Sequence, residues 1–133
     1  MKIFAHMSNL QQLSQEYLSL KGIKGHWEGG EYTKEVDSFN SRKHQAMKTL
    51  AESIAVGSDS KIIYDLFGQP DKIETDTLTF MPGPVVQSTV ADTDGPKDLF
   101  LEYYWRGRHD FLYFQVDSTT SVVKKVAWYN ALE

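Results

Sequence analysis

The sequence predicts an α+β fold: a two-layer sandwich in which two or three N-terminal helices pack on a four-stranded antiparallel sheet with meander topology. Before residue 68, apolar residues recur at three- and four-residue steps, which is the period of an amphipathic helix. After residue 98 the chain changes to aromatic and β-branched runs separated by short polar turns, which is typical of consecutive antiparallel strands. Because the helices precede the strands, we expect them to cover one face of the sheet. A chain of 133 residues fits a single domain, residues 1–133.

The first two predicted helices each have one apolar face. In the first helix this face consists of Leu10, Leu13, Tyr17 and Leu20. Ser8 or Asn9 can cap its start, and Gly22 can end it in the left-handed conformation. In the second helix the apolar face consists of Phe39, Met47, Leu50 and Ile54. We expect solvent to meet the opposite side, which holds Arg42, Lys43, Lys48 and Glu52.

The stretch GSDSKIIYDLFGQPD, residues 57–71, predicts a short third helix followed by a strand. Ser58 or Asp59 is a suitable N-cap, Gly68 ends the helix, and Pro70 prevents its continuation. The first strand then begins near Ile73. Residues 81–98 contain three prolines and two glycines, which predicts a long loop with a short strand at Val85–Val90.

The remaining strands, LFLEYYW, FLYFQVD and SVVKKVAWY, have two faces because successive side chains alternate. A sheet covered by helices on one side should show a polar second face, but here that face also carries large aromatic residues. Two interpretations stay open. Either the acidic loop or the glycine-rich loop with Trp27 covers this second face, or the face is a partly open aromatic surface that binds a partner.

A compact charged group, Arg106-Gly107-Arg108-His109-Asp110, joins the two most aromatic strands. Gly107 suits a tight turn, which favours a solvated hairpin tip. A recognition tip is a second interpretation. A His109–Asp110 acid–base pair is a third, and it requires both residues to lie in the turn, because neighbouring strand residues point to opposite faces.

Composition excludes several classes of function. The net charge is −4, and neither half of the chain is basic, so we expect no nucleic-acid partner. The chain has no cysteine, and its apolar runs are too short for a signal peptide or a membrane span, so we expect a cytoplasmic protein without membrane contact. The four histidines show no metal-ligand spacing, and no phosphate-binding or dinucleotide motif occurs. We therefore expect no metal and no cofactor.

Residues 57–129 resemble the BamE (SmpA/OmlA) family and the wider β-lactamase-inhibitor-protein-like two-layer folds. The resemblance is carried by Gly57, Ile63, Leu66, Gly68, Pro70, Tyr104, Phe114, Val116, Asp117 and Val123. It implies a short helix packed beside an antiparallel meander, and a domain that binds proteins. The chain departs from the family at Phe67, where leucine is usual, and in having no lipidated cysteine. The family's role at the outer membrane is therefore not carried over.

These observations predict a non-catalytic interaction domain that recognises a protein partner through its aromatic sheet face and arginine-rich hairpin. The predicted binding residues are Trp27, Tyr104, Trp105, Arg106, Arg108, Phe114 and Tyr129, with Trp27 as a lid. Pairing of sheet edges would also suit a homodimer. The alternative is a cofactor-independent isomerase or lyase with the cone-shaped fold of NTF2-like proteins, acting on a small apolar ligand. Its candidate residues are Glu102, His44, Tyr104 and Tyr113.

Overall fold

The computed structural model describes residues 8–75 and 98–130, apart from the side chains of Arg108 and Asn130. The helices are α1 (Asn9–Lys21), α2 (Arg42–Glu52) and α3 (Lys61–Phe67), with a single 3₁₀ turn at His26–Glu28. The strands are β1 (Lys72–Thr75), β2 (Leu99–Trp105), β3 (Gly107–Val116) and β4 (Val123–Asn130).

The strands form one sheet in the order β1-β2-β3-β4, and every neighbouring pair is antiparallel. The predicted α+β class and four-stranded meander are confirmed. The predicted loop at residues 81–98 and the strand at Val85–Val90 lie outside the described residues, except for Asp98. The single domain over residues 1–133 stays a prediction, although the described helices and the sheet share one core.

The start of α1 is specified by local hydrogen bonding. The Ser8 hydroxyl accepts from the Gln11 N–H at 3.1 Å, and the Gln11 side chain accepts from the Ser8 N–H at 2.9 Å, which forms a capping box. The predicted N-cap is thus confirmed. The prediction of a left-handed Gly22 is wrong, because its φ is −80°. The helix ends in a tight right-handed turn, in which the Ile23 N–H donates to the Leu20 carbonyl at 3.0 Å.

Two predictions for α2 are wrong. Phe39 was expected in the core but is 73% exposed, and Lys43 was expected in solvent but is 1% exposed. The helix begins only at Arg42, because Ser41 is its N-cap: the Ser41 hydroxyl accepts the N–H of His44 at 3.1 Å. Phe39 therefore lies outside the helix, where the helical period does not apply. The Lys43 ammonium donates to the Trp105 carbonyl at 3.2 Å, and burial lowers its pKa.

The third helix ends as predicted. Gly68 has φ +73°, a backbone conformation that glycine adopts at little cost, and its N–H donates to the Tyr64 carbonyl at 3.0 Å. The N-cap position is Ser60, one residue after Asp59 and two after Ser58, the two predicted candidates. The Asp59 carboxylate accepts from the Lys61 N–H at 2.8 Å. This corner leads directly into β1, which pairs with β2.

The main core lies between the helices and one face of the sheet. Its largest rings are Tyr17, Phe67, Tyr103, Trp105 and Phe114. The Tyr103 hydroxyl donates to the Gly68 carbonyl at 2.8 Å, which ties the sheet to the end of α3. The Tyr17 hydroxyl is buried and has no hydrogen-bond partner in the described part of the chain. Burial raises the pKa of Tyr17 well above its usual value.

We expect Tyr17→Phe to raise the free energy of unfolding by about 1 kcal/mol, because it removes a buried hydroxyl whose desolvation is uncompensated. Tyr103→Phe is the matched control, since it removes a hydroxyl that is hydrogen-bonded, and it should lower the free energy of unfolding by about 1 kcal/mol. Urea denaturation of both variants measures the difference. Equal destabilisation by the two substitutions would contradict the assignment of an unsatisfied Tyr17 hydroxyl.

The second face of the sheet is largely buried. Phe100, Phe111 and Tyr113 form a small separate cluster there and are almost completely inaccessible to solvent. Tyr104 and Tyr129 pack against this cluster and are half-buried. The interpretation of an open aromatic surface is therefore wrong for the three central rings of this face.

Candidate functional site at the hairpin end of the sheet

The charged group between β2 and β3 is a packed ion-pair cluster. Asp110 is 1% exposed, and its carboxylate accepts from the Arg106 Nε at 2.7 Å and lies 3.0 Å from the His109 Nδ1. The Arg106 N–H also donates to the Asp110 carbonyl at 3.2 Å, which closes the turn. The prediction of a solvated tip is wrong for these three residues. A buried carboxylate must be paired, and the turn brings the Arg106 guanidinium and the His109 ring to it.

Arg106 also connects the hairpin to the glycine-rich loop. Its guanidinium lies between two indole rings, 4.1 Å from the centroid of Trp105 and 4.7 Å from that of Trp27. The Trp27 ring contacts the ring of His109, with 5.5 Å between centroids. Trp27 is thus held at the end of the hairpin by cation–π and ring contacts, and it remains 36% exposed.

The loop that carries Trp27 folds around a buried carboxylate that the sequence analysis did not single out. Asp37 accepts from the N–H groups of His26 at 3.0 Å and Thr33 at 2.8 Å. At Gly25 a Cβ atom would lie only 2.2 Å from an Asp37 carboxylate oxygen, so this position requires glycine. The loop is therefore a defined structure that presents Trp27, and not a loose connection.

Phe39 is presented by a well-fixed turn. The next residue, Asn40, has φ +60° and makes three hydrogen bonds. Its N–H donates to the His44 Nδ1 at 3.0 Å, its carbonyl accepts from the Gln45 side chain at 2.5 Å, and its side chain accepts from the Lys48 ammonium at 2.7 Å. Asparagine is among the few residues that tolerate this left-handed conformation. The exposed Phe39 ring therefore stands on a rigid support.

His44 is neutral and forms the floor beneath Phe39. Its ring stacks on Trp105 with 3.6 Å between centroids and meets the edge of Trp128 at 5.4 Å. Burial lowers the pKa of His44 to about 4, and the positive charges of Lys48 and Arg106 act in the same direction. Because Nδ1 accepts the N–H of Asn40, the ring proton resides on Nε2 at neutral pH.

Two open clefts adjoin at this end of the molecule. The first, here called the Phe39 cleft, has a volume of about 240 Å³ and is lined by Phe39, His44, Lys48 and Trp128. The second, here called the α2–β4 groove, has a volume of about 370 Å³ and is lined by Lys48, Ala51, Glu52, Ile54, Val126, Ala127 and Trp128. Both share Lys48 and Trp128. Aromatic and aliphatic walls beside an ammonium group suit apolar and acidic side chains of a partner.

The predicted binding residues do not form one surface. Trp105 and Phe114 are buried in the main core, so they are structural and unable to meet a partner. Tyr104 and Tyr129 lie on the opposite face of the sheet. Trp27 and Arg106 are brought together at the hairpin end, and the Arg108 side chain lies outside the described part.

The candidate residues of the enzymatic alternative are also separated. His44 stacks on Trp105 on the helix-facing side. Tyr104 and Tyr113 pack in the cluster on the other side, and Glu102 is the β2 residue that pairs directly with Tyr113. The sheet therefore stands between His44 and the other three, which excludes the predicted four-residue arrangement around one cavity.

Phe39, Lys48 and Trp128 are the site residues that the sequence analysis missed. A signal was present for Phe39: Ser41 is a strong N-cap residue, and a helix that starts after it leaves Phe39 outside. Trp128 was assigned to a strand without a role, and nothing in its neighbourhood in sequence indicates the contact with α2.

Within residues 8–75 and 98–130, no three histidine, aspartate or glutamate side chains are grouped to hold a metal ion. None of the helices in these ranges is long and apolar enough to cross a membrane. Comparisons with family models, curated proteins and solved structures find no match to this chain. The resemblance to the BamE family stays a prediction, and the argument for function rests on the geometry of the site.

Proposed function

We propose that this chain is an interaction domain that binds a partner protein through the surface formed by Trp27, Phe39, Arg106 and Trp128. The observation that carries the proposal is the Phe39 ring, which is mostly exposed although the turn beneath it is fixed by three hydrogen bonds. A large exposed aromatic ring on a rigid support loses little conformational freedom on binding, which is what a binding anchor requires.

The composition of this surface supports the same proposal. Tryptophan, tyrosine and arginine are enriched among the residues that dominate binding energy in protein interfaces. Trp27 and Tyr32 are exposed in the loop beside Phe39, and Arg106 is held between two indole rings. The Phe39 cleft is smaller than the usual site for a small molecule, so it suits a single side chain of a partner. The cytoplasmic location predicted from the cysteine-free sequence belongs to this proposal.

We expect Phe39→Ala to weaken binding of the native partner by about 30-fold, because removal of an anchor residue typically costs 2 kcal/mol or more. The partner is first isolated with the wild-type chain and identified, and its affinity for each variant is then measured with purified proteins. Circular dichroism establishes that each variant is folded.

Val56→Ala is the matched control, because Val56 is a comparably exposed apolar residue in the turn between α2 and α3 and lines neither cleft. Its affinity should equal that of the wild type. If Phe39→Ala and Trp27→Ala also bind as tightly as the wild type, the proposed surface is wrong.

A further inference from the structure

Among the described residues, the outer edge of β4 has backbone partners at its first residue alone. The sheet order places β4 at one edge, and Gly57 and Ser58 exchange two backbone hydrogen bonds of 2.8 Å with Val123. From Lys124 to Trp128, no residue of the described ranges pairs with this outer edge. Such an edge presents a row of backbone N–H and C=O groups that a further strand can use.

The α2–β4 groove runs beside this edge. Val126 and Trp128 point to the helix side of the sheet and form one wall, and Ala51 and Ile54 belong to the opposite wall. Side chains of a strand alternate between the two faces of its sheet. Every second side chain of a strand added to β4 would therefore enter the groove, and this combination of edge and pockets is how domains bind extended peptides.

Of the described charged residues around this edge, three are lysines and two are acidic, although the whole chain has a net charge of −4. Lys124 and Lys125 are exposed on β4, and Lys48 lies between the groove and the Phe39 cleft. Lys124 pairs with Asp98 at 2.9 Å, and Glu52 is the acidic residue of the groove lining. Within the described ranges, Lys48 and Lys125 have no carboxylate partner. Lys48 donates to the Asn40 side chain and Lys125 lies over the Tyr113 ring, so both charges are available to acidic groups of a bound segment.

We propose that the β4 edge from Lys124 to Trp128 binds an extended acidic and apolar segment of the partner protein as an added strand, with its apolar side chains in the α2–β4 groove. This inference rests on the proposed function and specifies the class of partner. A second copy of the chain fits less well, because pairing of two β4 strands would align the lysines of both copies along one seam.

The test uses a synthetic heptapeptide that alternates glutamate with leucine. Two kinds of control peptide are used. In the first, lysine replaces every glutamate. In the second, alternate backbone nitrogens carry a methyl group, which removes the N–H donors along one edge of the peptide strand, and a version is made for each edge. Amide hydrogen exchange of the full chain is followed by NMR. At a peptide concentration about ten times the Kd, exchange of alternate amides between Lys124 and Trp128 should slow about tenfold.

The lysine peptide should not bind. One of the two methylated peptides, the one whose blocked edge faces β4, should no longer slow the exchange of the β4 amides. Lys48→Glu combined with Lys125→Glu should weaken binding of the glutamate peptide at least about tenfold. Lys61→Glu, at an exposed lysine on α3, should leave it unchanged.

Three results would overturn the inference: no binding of the glutamate peptide, binding that leaves β4 exchange unchanged, or protection that depends only on the concentration of the chain itself. The last result would identify a second copy as the occupant. Failure of the proposed function can be told apart from failure of this inference. If the proposed surface is wrong, Phe39→Ala binds the partner as tightly as the wild type, whereas the glutamate peptide still slows exchange of the β4 amides.

Discussion

Trp105→Ala is expected to lower the free energy of unfolding by about 3–5 kcal/mol, the range for removal of a buried large aromatic ring. Trp105 is 1% exposed, and its indole N–H donates to the Val36 carbonyl at 2.6 Å. Its ring also stacks with His44 and carries the Arg106 guanidinium. The substitution therefore leaves a cavity, removes one of the two hydrogen bonds to the Val36 carbonyl and takes away one of the two indole rings that hold the guanidinium. Urea denaturation with an unchanged m value measures the loss.

Trp105→Phe separates the ring from its hydrogen bond. It keeps an aromatic ring under His44 but removes the indole donor to Val36, whose carbonyl retains the hydrogen bond from Ser41, and it leaves a smaller cavity. Loss of the hydrogen bond and the cavity together should cost about 1–3 kcal/mol. Trp27→Ala is the surface control, because Trp27 is exposed and lies in the glycine-rich loop, and it should cost less than either change at Trp105. A loss below about 1 kcal/mol in Trp105→Ala would contradict the central role of this residue in the core.

Acidification from pH 7 to pH 4 is expected to lower the free energy of unfolding by about 1–3 kcal/mol through His44 alone. The pKa of His44 is about 4 in the folded chain, below its usual value of 6.5, because the ring is buried and near cationic groups. Between these two values the unfolded state binds the proton and the folded state does not. The His44 contribution to the free energy of unfolding is therefore fully present above the pKa of the unfolded state. It is lost as the pH drops towards the pKa of the folded state.

The variant His44→Phe isolates this contribution. It retains an aromatic ring stacked on Trp105 but has no titratable group at this position. The free energy of unfolding of the wild type should therefore fall relative to that of the variant as the pH drops through this window. Other histidines and the carboxylates are common to both proteins and cancel in the difference. Curves that run parallel from pH 7 to pH 4 would contradict the lowered pKa of His44.

Much of the fold follows from local signals in the sequence. The capping box at Ser8 and the left-handed Gly68 depend on interactions within one turn, so neighbouring residues are enough to predict them. The strand alternation also places Tyr103 and Trp105 correctly on one face. Lys43 shows the limit of this reasoning, because its burial depends on the carbonyl of Trp105, which is 62 residues away in the sequence.

The site could be predicted only in part, because its contacts are between distant segments. Arg106 was correctly expected at the hairpin, but its position between Trp27 and Trp105 depends on a loop that folds around Asp37. The Phe39 cleft needs α2 and β4 to meet, and no periodicity in either element shows that contact. Patterns indicate which residues share a face, whereas the partner of that face is decided by tertiary packing.

The agreement between strand order and chain order has a consequence for the folding mechanism. β2, β3 and β4 are joined by short turns, so their pairing closes small loops at little entropic cost. β1 must pair with β2 across residues 76–98, and it carries only four residues to offset the larger closure entropy. This topology favours a transition state in which the three long strands are already associated while β1 still lacks its native contacts.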